Sequence, residues 1–166
     1  GMTCAPCQLR PQSRGSVHIK SANPMEGPRI LCNFLKEYED QQAMIGGLKI
    51  ARQLVEQPAL KPYVKFEITP GGDCRTDDEL LDFALRTGAT VYHPVGACKM
   101  GPEGDRMAVV DPRLRVYGIS GLRIADGSIM PQLVSGNTNA PIIMIGEKAA
   151  AMMLEDKAKA PNAAAA

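Results

Sequence analysis

No apolar run in this sequence approaches the eighteen or so residues that span a bilayer, so no membrane-crossing helix is expected. Charge of one sign is lacking too. The formal net charge is +1, which removes the electrostatic reason to expect a nucleic-acid partner. The opening stretch, GMTCAPCQLRPQSRG, does not have the basic-then-apolar order of a signal peptide. Neither glycine-rich phosphate signature occurs: there is no G-x-G-x-x-G, and GACKMG continues as Pro-Glu where a phosphate loop needs Lys then Ser or Thr. No internal repeat is visible. Cysteine is an odd five, mostly in apolar or strand-like surroundings, which reads as reduced thiols in a cytoplasmic protein. CAPC, at Cys4 to Cys7, has no second pair and no close histidine, so no metal site is expected. Histidines are down to two, His18 and His93.

What is present is an ordinary globular balance, 45% hydrophobic and 22% charged over 166 residues, enough for one real core. Val17 and Ile19 alternate with polar neighbours after Gly15, which is read as a turn, and predict a half-buried strand. RILCNFL predicts a second strand and VKFEI a third. Ile45, Leu48, Ala51 and Val55 fall at helical spacing and predict a helix over 39–57, stopped by Pro58. Thr76-Asp77-Asp78-Glu79 is a capping box ahead of Leu80, Leu81, Ala84 and Leu85, with Gly88 placed to end that helix. Farther on, LRIA predicts a short strand ending at Asp126-Gly127. IIMIGEKAAAMMLED is apolar on almost every face and predicts a buried helix, with Pro141 in its first turn and Asn137 to Asn139 as caps.

Three places could carry chemistry. His93 sits between an apolar run and a glycine-rich turn; imidazole changes charge near neutral pH, so it suits an acid/base role, although a half-buried structural histidine has the same surroundings. The start of the last helix gathers unpaired backbone N–H groups and the positive dipole end, which attract an anion or a polarised carbonyl, but a well-capped core helix needs no ligand. Asp126-Gly127 at a strand end fits a cofactor contact and equally fits a common turn dipeptide. Cys98 lies five positions from His93 and is read as a neutral thiol, and His18 lies in an alternating strand away from any such site.

In order along the chain, LRPQSRGSVHIKSANP, YHPVGACKMG, VVDPRLRVYGISGLRIADGSIMP and SGNTNAPIIMIGEKAA resemble the C-terminal part of a glucose-methanol-choline oxidoreductase, in its choline-dehydrogenase-like branch. The resemblance covers about Cys7 to Leu154. It implies an FAD-dependent enzyme that oxidises an alcohol by proton abstraction and hydride transfer to flavin. The YHP histidine, His93, becomes the active-site acid/base and Asn137 the second catalytic position. Asp126 and Gly127 come near the FAD linker, and Asn137, Thr138 and Asn139 beside the flavin. The family's G-x-G-x-x-G segment is missing. The chain is therefore expected to be a piece of a longer protein, with Gly1 a tag remnant, inactive alone and without FAD.

The implied fold class is α+β. A mostly antiparallel sheet over 16–68, with covering helices, forms a substrate-domain portion at 1–95. The closing strand and helix of an FAD-binding α/β domain occupy 96–156, and 157–166 is a fraying tail. The implied partners are a small alcohol and the N-terminal FAD-binding half. Apolar faces at Ile142, Ile145 and Met153 are expected to be exposed and to favour homo-oligomers. The competing expectation is a stand-alone, non-catalytic binding domain that kept the fold.

Overall fold

The strands β1 (Ser16–His18) and β2 (Arg29–Leu31) pair antiparallel, with Ser16 opposite Leu31, Val17 opposite Ile30 and His18 opposite Arg29. This computed structural model describes residues 1–159. Gly15 enters β1 where a Cβ would run into the backbone carbonyls of Leu31 and Cys32. It serves close strand approach there, not the expected turn. The two strands are the whole sheet among the described residues. VKFEI is not a strand, and Phe66 and Ile68 stand 67% and 78% exposed. A strand exists only where another lies alongside it, and none of the described residues does so here. Val17 and Ile30 are exposed as well, so neither the expected larger sheet nor its half-buried face is observed.

Helix α1 (Tyr38–Val55) follows the predicted stripe: Ile45 is buried, and Leu48, Ala51 and Val55 are partly buried on the same side. Helix α2 (Asp77–Thr87) opens on the expected capping box. Thr76 Oγ1 accepts from Glu79 N at 3.3 Å, and Glu79 Oε2 accepts from Thr76 N at 2.8 Å. Leu80 and Ala84 are buried where α2 packs on α1. Leu85, five residues past Leu80, falls off that stripe and is exposed, while Phe83 is partly covered. At the C-cap, a Cβ on Gly88 would lie 2.5 Å from the Ala84 carbonyl oxygen, so glycine is needed for space, its backbone being extended. Arg52, in the last turn of α1, holds the 67–74 loop by donating to Cys74 O (2.7 Å), Gly71 O (3.1 Å) and Glu67 Oε1 (3.1 Å).

Asp40, in the first turn of α1, is only 1% exposed. Its carboxylate accepts from Gln12 N at 2.8 Å, Ser13 N at 2.7 Å and Gln8 Nε2 at 3.3 Å, tying the N-terminal segment to the helix start. Burial alone would raise its pKa, but the hydrogen bonds from Ser13, Gln12 and Gln8 outweigh it and hold the carboxyl below the usual range. A depressed carboxylate contributes stability above its unfolded pKa, and that contribution fades as pH falls through the lower folded value. Asp40→Ala strands two backbone donors and is expected to cost roughly 2–4 kcal/mol at pH 7. Urea unfolding should show the gap from wild type narrowing below about pH 4; a gap unchanged at pH 3 would contradict this role.

Contacts divide the chain into two units, the first Gly1–Val91 and the second starting at Tyr92, so His93 shares a unit with the last helix. The second unit is built mainly of turns. Met100 bridges Val110, Val110 bridges Val116, and Arg115 bridges Arg123. LRIA makes only that last isolated bridge, so the expected closing strand is not formed by the described residues. A short 3₁₀ turn, Gly127–Ile129, carries Ile129 into a core with Val110, Leu114, Met130, Ile145 and Ala149.

Helix α3 (Asn139–Lys159) contributes Ile142, Ile145, Ala149 and Met152 to that core, a single helical stripe. Ile143, Met144, Met153 and Leu154 are 51–68% exposed. The helix is therefore not buried all round. Of the three residues expected to be exposed, only Met153 is, because Ile145 and Ile142 face the unit's own core. At its C-terminal turn, Arg123 and Arg113 both pair with Asp156, and Arg113 also donates to Met152 O at 3.0 Å. The hydrogen bond from Arg123, then the charge of Arg113, hold Asp156 below the ordinary carboxylate pKa. The helix continues through Lys157 and Lys159, the first part of the expected tail; 160–166 lie outside the described residues. Among the described residues no helix is long and apolar enough to cross a membrane, and all five cysteines are free thiols.

Candidate functional site

The loop that carries His93 is shaped by its neighbours. Tyr92 takes a left-handed backbone (φ 61) and Gly96 another (φ 85), with Pro94 between them. A Cβ on Gly96 would come 3.3 Å from the Met130 carbonyl oxygen, so both the angle and the space call for glycine. Val95 packs on the core. Beyond it the loop is laced to the 3₁₀ turn: Cys98 N donates to Ser128 O at 3.0 Å and Met100 N to Ile129 O at 2.8 Å. Gly127 is buried against α3, where a Cβ would meet Ile142 Cδ1 at 3.1 Å and the Pro94 carbonyl oxygen at 3.8 Å. The histidine loop, the 3₁₀ turn and the start of α3 thus meet at one place.

His93 is partly buried, and its Nδ1 lies 2.8 Å from Thr138 Oγ1. Thr138 is 3% exposed and occupies the N-cap of α3, its carbonyl accepting from Ile142 N at 3.0 Å. Nε2 of the imidazole has no partner among the described residues. Pro141, third in the helix, has no N–H, so the first turn presents the amides of Asn139 and Ala140, which have no acceptor among the described residues. Both residues are exposed, as is Asn137.

The remaining expected positions sort differently. Asp126 is exposed and uses Oδ1 to accept from Ser128 N at 2.7 Å, capping the 3₁₀ turn. Its turn-forming reading therefore holds, and its other oxygen is left over. The Cys98 thiol makes no hydrogen bond to His93, whose Nδ1 is engaged by Thr138. His18 is exposed on β1 in the other unit. The pairing of His93 with Thr138 was not foreseen from sequence. A threonine cap followed by proline at the third helical position was the local signal for it.

The imidazole thus meets the N-cap of α3 with one nitrogen unpartnered among the described residues, and the residues flanking Thr138 in the chain offer two open helix amides and an exposed asparagine amide. That is the equipment of a site for proton transfer next to developing negative charge. The family profile described as GMC oxidoreductase matches residues 11–146. The chain belongs to the GMC oxidoreductase family. It is 47% identical over 154 residues to alcohol dehydrogenase (acceptor) of Pseudomonas putida, covering 93% of this chain and 28% of that protein. It is 47% identical over 150 residues to the oxygen-dependent choline dehydrogenase of Cronobacter sakazakii, covering 90% of this chain and 26% of the relative. The chain thus spans about a quarter of the length of these relatives. Among solved structures, it is similar to pyridoxine 4-oxidase from Mesorbium loti, with TM-score 0.82 and 31% identity over 89% of this chain and 28% of the other. An FAD-dependent oxidoreductase from Chaetomium thermophilum matches with TM-score 0.82 and 29% identity, over 90% and 26% of the two chains.

Proposed function

We propose that this chain is the C-terminal portion of an FAD-dependent oxidoreductase that acts on an alcohol, with His93 as the proton acceptor. The observation that carries the reading is the His93–Thr138 contact at 2.8 Å, which sets the imidazole at the N-cap of α3 and leaves Nε2 without a partner among the described residues. The names of its relatives point to alcohols such as choline. FAD comes from the Chaetomium neighbour's description and the family resemblance.

The residues present fit such a cofactor. The Asn139 and Ala140 amides, backed by the positive end of a 21-residue helix, favour an electron-rich ring edge. Buried Gly127 keeps backbone rather than side chain near the histidine loop. Asp126, Gly127, Asn137, Thr138 and Asn139 are the residues that would hold the group. When bound, FAD supplies the two-electron acceptor for hydride leaving the alcohol carbon.

The protein's own part is proton and charge management. His93 Nε2 takes the hydroxyl proton as the O–H bond breaks, and the imidazole carries it as imidazolium. Asn137 donates from its side-chain amide to the oxygen while it holds alkoxide character, and releases it as the carbonyl forms. In the complete protein, anaerobic mixing with a series of primary alcohols, choline included, is expected to bleach the flavin band. Bound flavin that no alcohol bleaches would overturn the reading.

A further inference from the structure

Among the described residues two helices start on a threonine cap, and the two caps behave differently. Thr76 spends its hydroxyl oxygen on the N–H of Glu79, the third residue of α2. The third residue of α3 is Pro141, which has no N–H to offer, so Thr138 cannot cap in that way. Its lone pairs are left for another donor, and the neighbour at 2.8 Å is His93 Nδ1. We propose that Thr138 is a positioning residue that accepts from Nδ1–H of His93, fixing the neutral imidazole in the tautomer whose Nε2 is bare.

Burial supports this assignment. At 3% exposure, Thr138 is held by the helix start, so its hydroxyl oxygen is a fixed point for the ring to turn on. An exposed imidazole has no such fixed partner and interchanges its two neutral forms. The importance for catalysis rests on the alcohol-oxidation reading, because a base at Nε2 requires the proton on Nδ1. The tautomer itself does not depend on that reading. It is measurable without alcohol or flavin, so failure of one is separable from failure of the other.

The test is histidine nitrogen NMR on the 15N-histidine-labelled 166-residue chain, at a pH where both imidazoles are neutral. With two histidines, exposed His18 serves as the mixed-tautomer comparison. His93 is expected to show a protonated Nδ1 and a bare Nε2. Thr138→Val should abolish that preference and move His93 toward the His18 pattern, and Thr138→Ser should restore it. A protonated Nε2 in the unsubstituted chain, with the threonine donating instead, would overturn the proposal. So would a Thr138→Val spectrum that keeps the Nδ1–H form.

Discussion

His93→Ala in the complete FAD-loaded protein is expected to slow alcohol oxidation by about a hundred- to ten-thousandfold, while alcohol binding changes little. The substitution deletes the free Nε2 and the ring whose other nitrogen rests on Thr138 at 2.8 Å. It removes no core contact of the kind that Val95 or Ile129 makes, so the loop should keep its course through the Cys98–Ser128 and Met100–Ile129 bonds. The loss therefore belongs in the rate of flavin bleaching at saturating alcohol. Asn137→Ala should cause a smaller loss, since it withdraws one hydrogen bond to the alkoxide and leaves the proton acceptor in place. His18→Ala, on an exposed strand of the other unit, should bleach at the unsubstituted rate. Stopped-flow absorbance on the three variants separates these effects, and equal losses for His93 and His18 would refute the assignment.

The second large effect is on stability. Ile129 is 2% exposed and sits in the middle of the second unit's core, on the 3₁₀ turn that its neighbours Asp126 and Gly127 open. Ile129→Ala removes three buried carbons and leaves a cavity against Val110, Leu114, Ile145 and Ala149, a cost of about 2–5 kcal/mol. The consequence reaches the histidine loop, because the Ile129 carbonyl oxygen receives Met100 N at 2.8 Å. Hydrogen exchange should therefore rise at Cys98 and Met100 together with the drop in unfolding midpoint. Ser128→Ala retains that carbonyl pairing and is expected to shift stability by less than about 0.5 kcal/mol, as partly exposed surface changes do. Unchanged exchange at Met100 in Ile129→Ala would show that the turn does not support the loop.

What could be read from sequence was what is settled locally. The Thr76–Glu79 capping box is closed within four residues, and α2 begins where that pattern requires. The stripe of Ile45 and its helical neighbours likewise needs only the periodicity of one helix. Strands depend on a distant partner. VKFEI and LRIA have strand-like composition, yet among the described residues neither has a strand partner, beyond the single Arg115–Arg123 bridge. The apolar text of α3 does not tell which face is covered. That was decided by Ile129, Leu114 and Val110, which select Ile145 and Ala149 and leave Ile143 and Leu154 outside. Nothing in the sequence analysis singled out Asp40, whose burial goes with the return of Gln12 and Ser13 onto it from 28 and 27 positions away. At the candidate site, His93 and the start of α3 were each visible as chemistry. Their contact spans 45 positions and belongs to the fold.

The central claim is that His93 accepts a proton from an alcohol, and chemical rescue tests it most directly. In the complete protein carrying His93→Ala with FAD bound, added imidazole should fill the vacated space and restore flavin bleaching by alcohol. The restored rate should rise with the concentration of neutral imidazole. A His93→Ala protein that bleaches at the unsubstituted rate without imidazole, or one whose slow rate imidazole and small amines leave unchanged at every pH, would contradict the account.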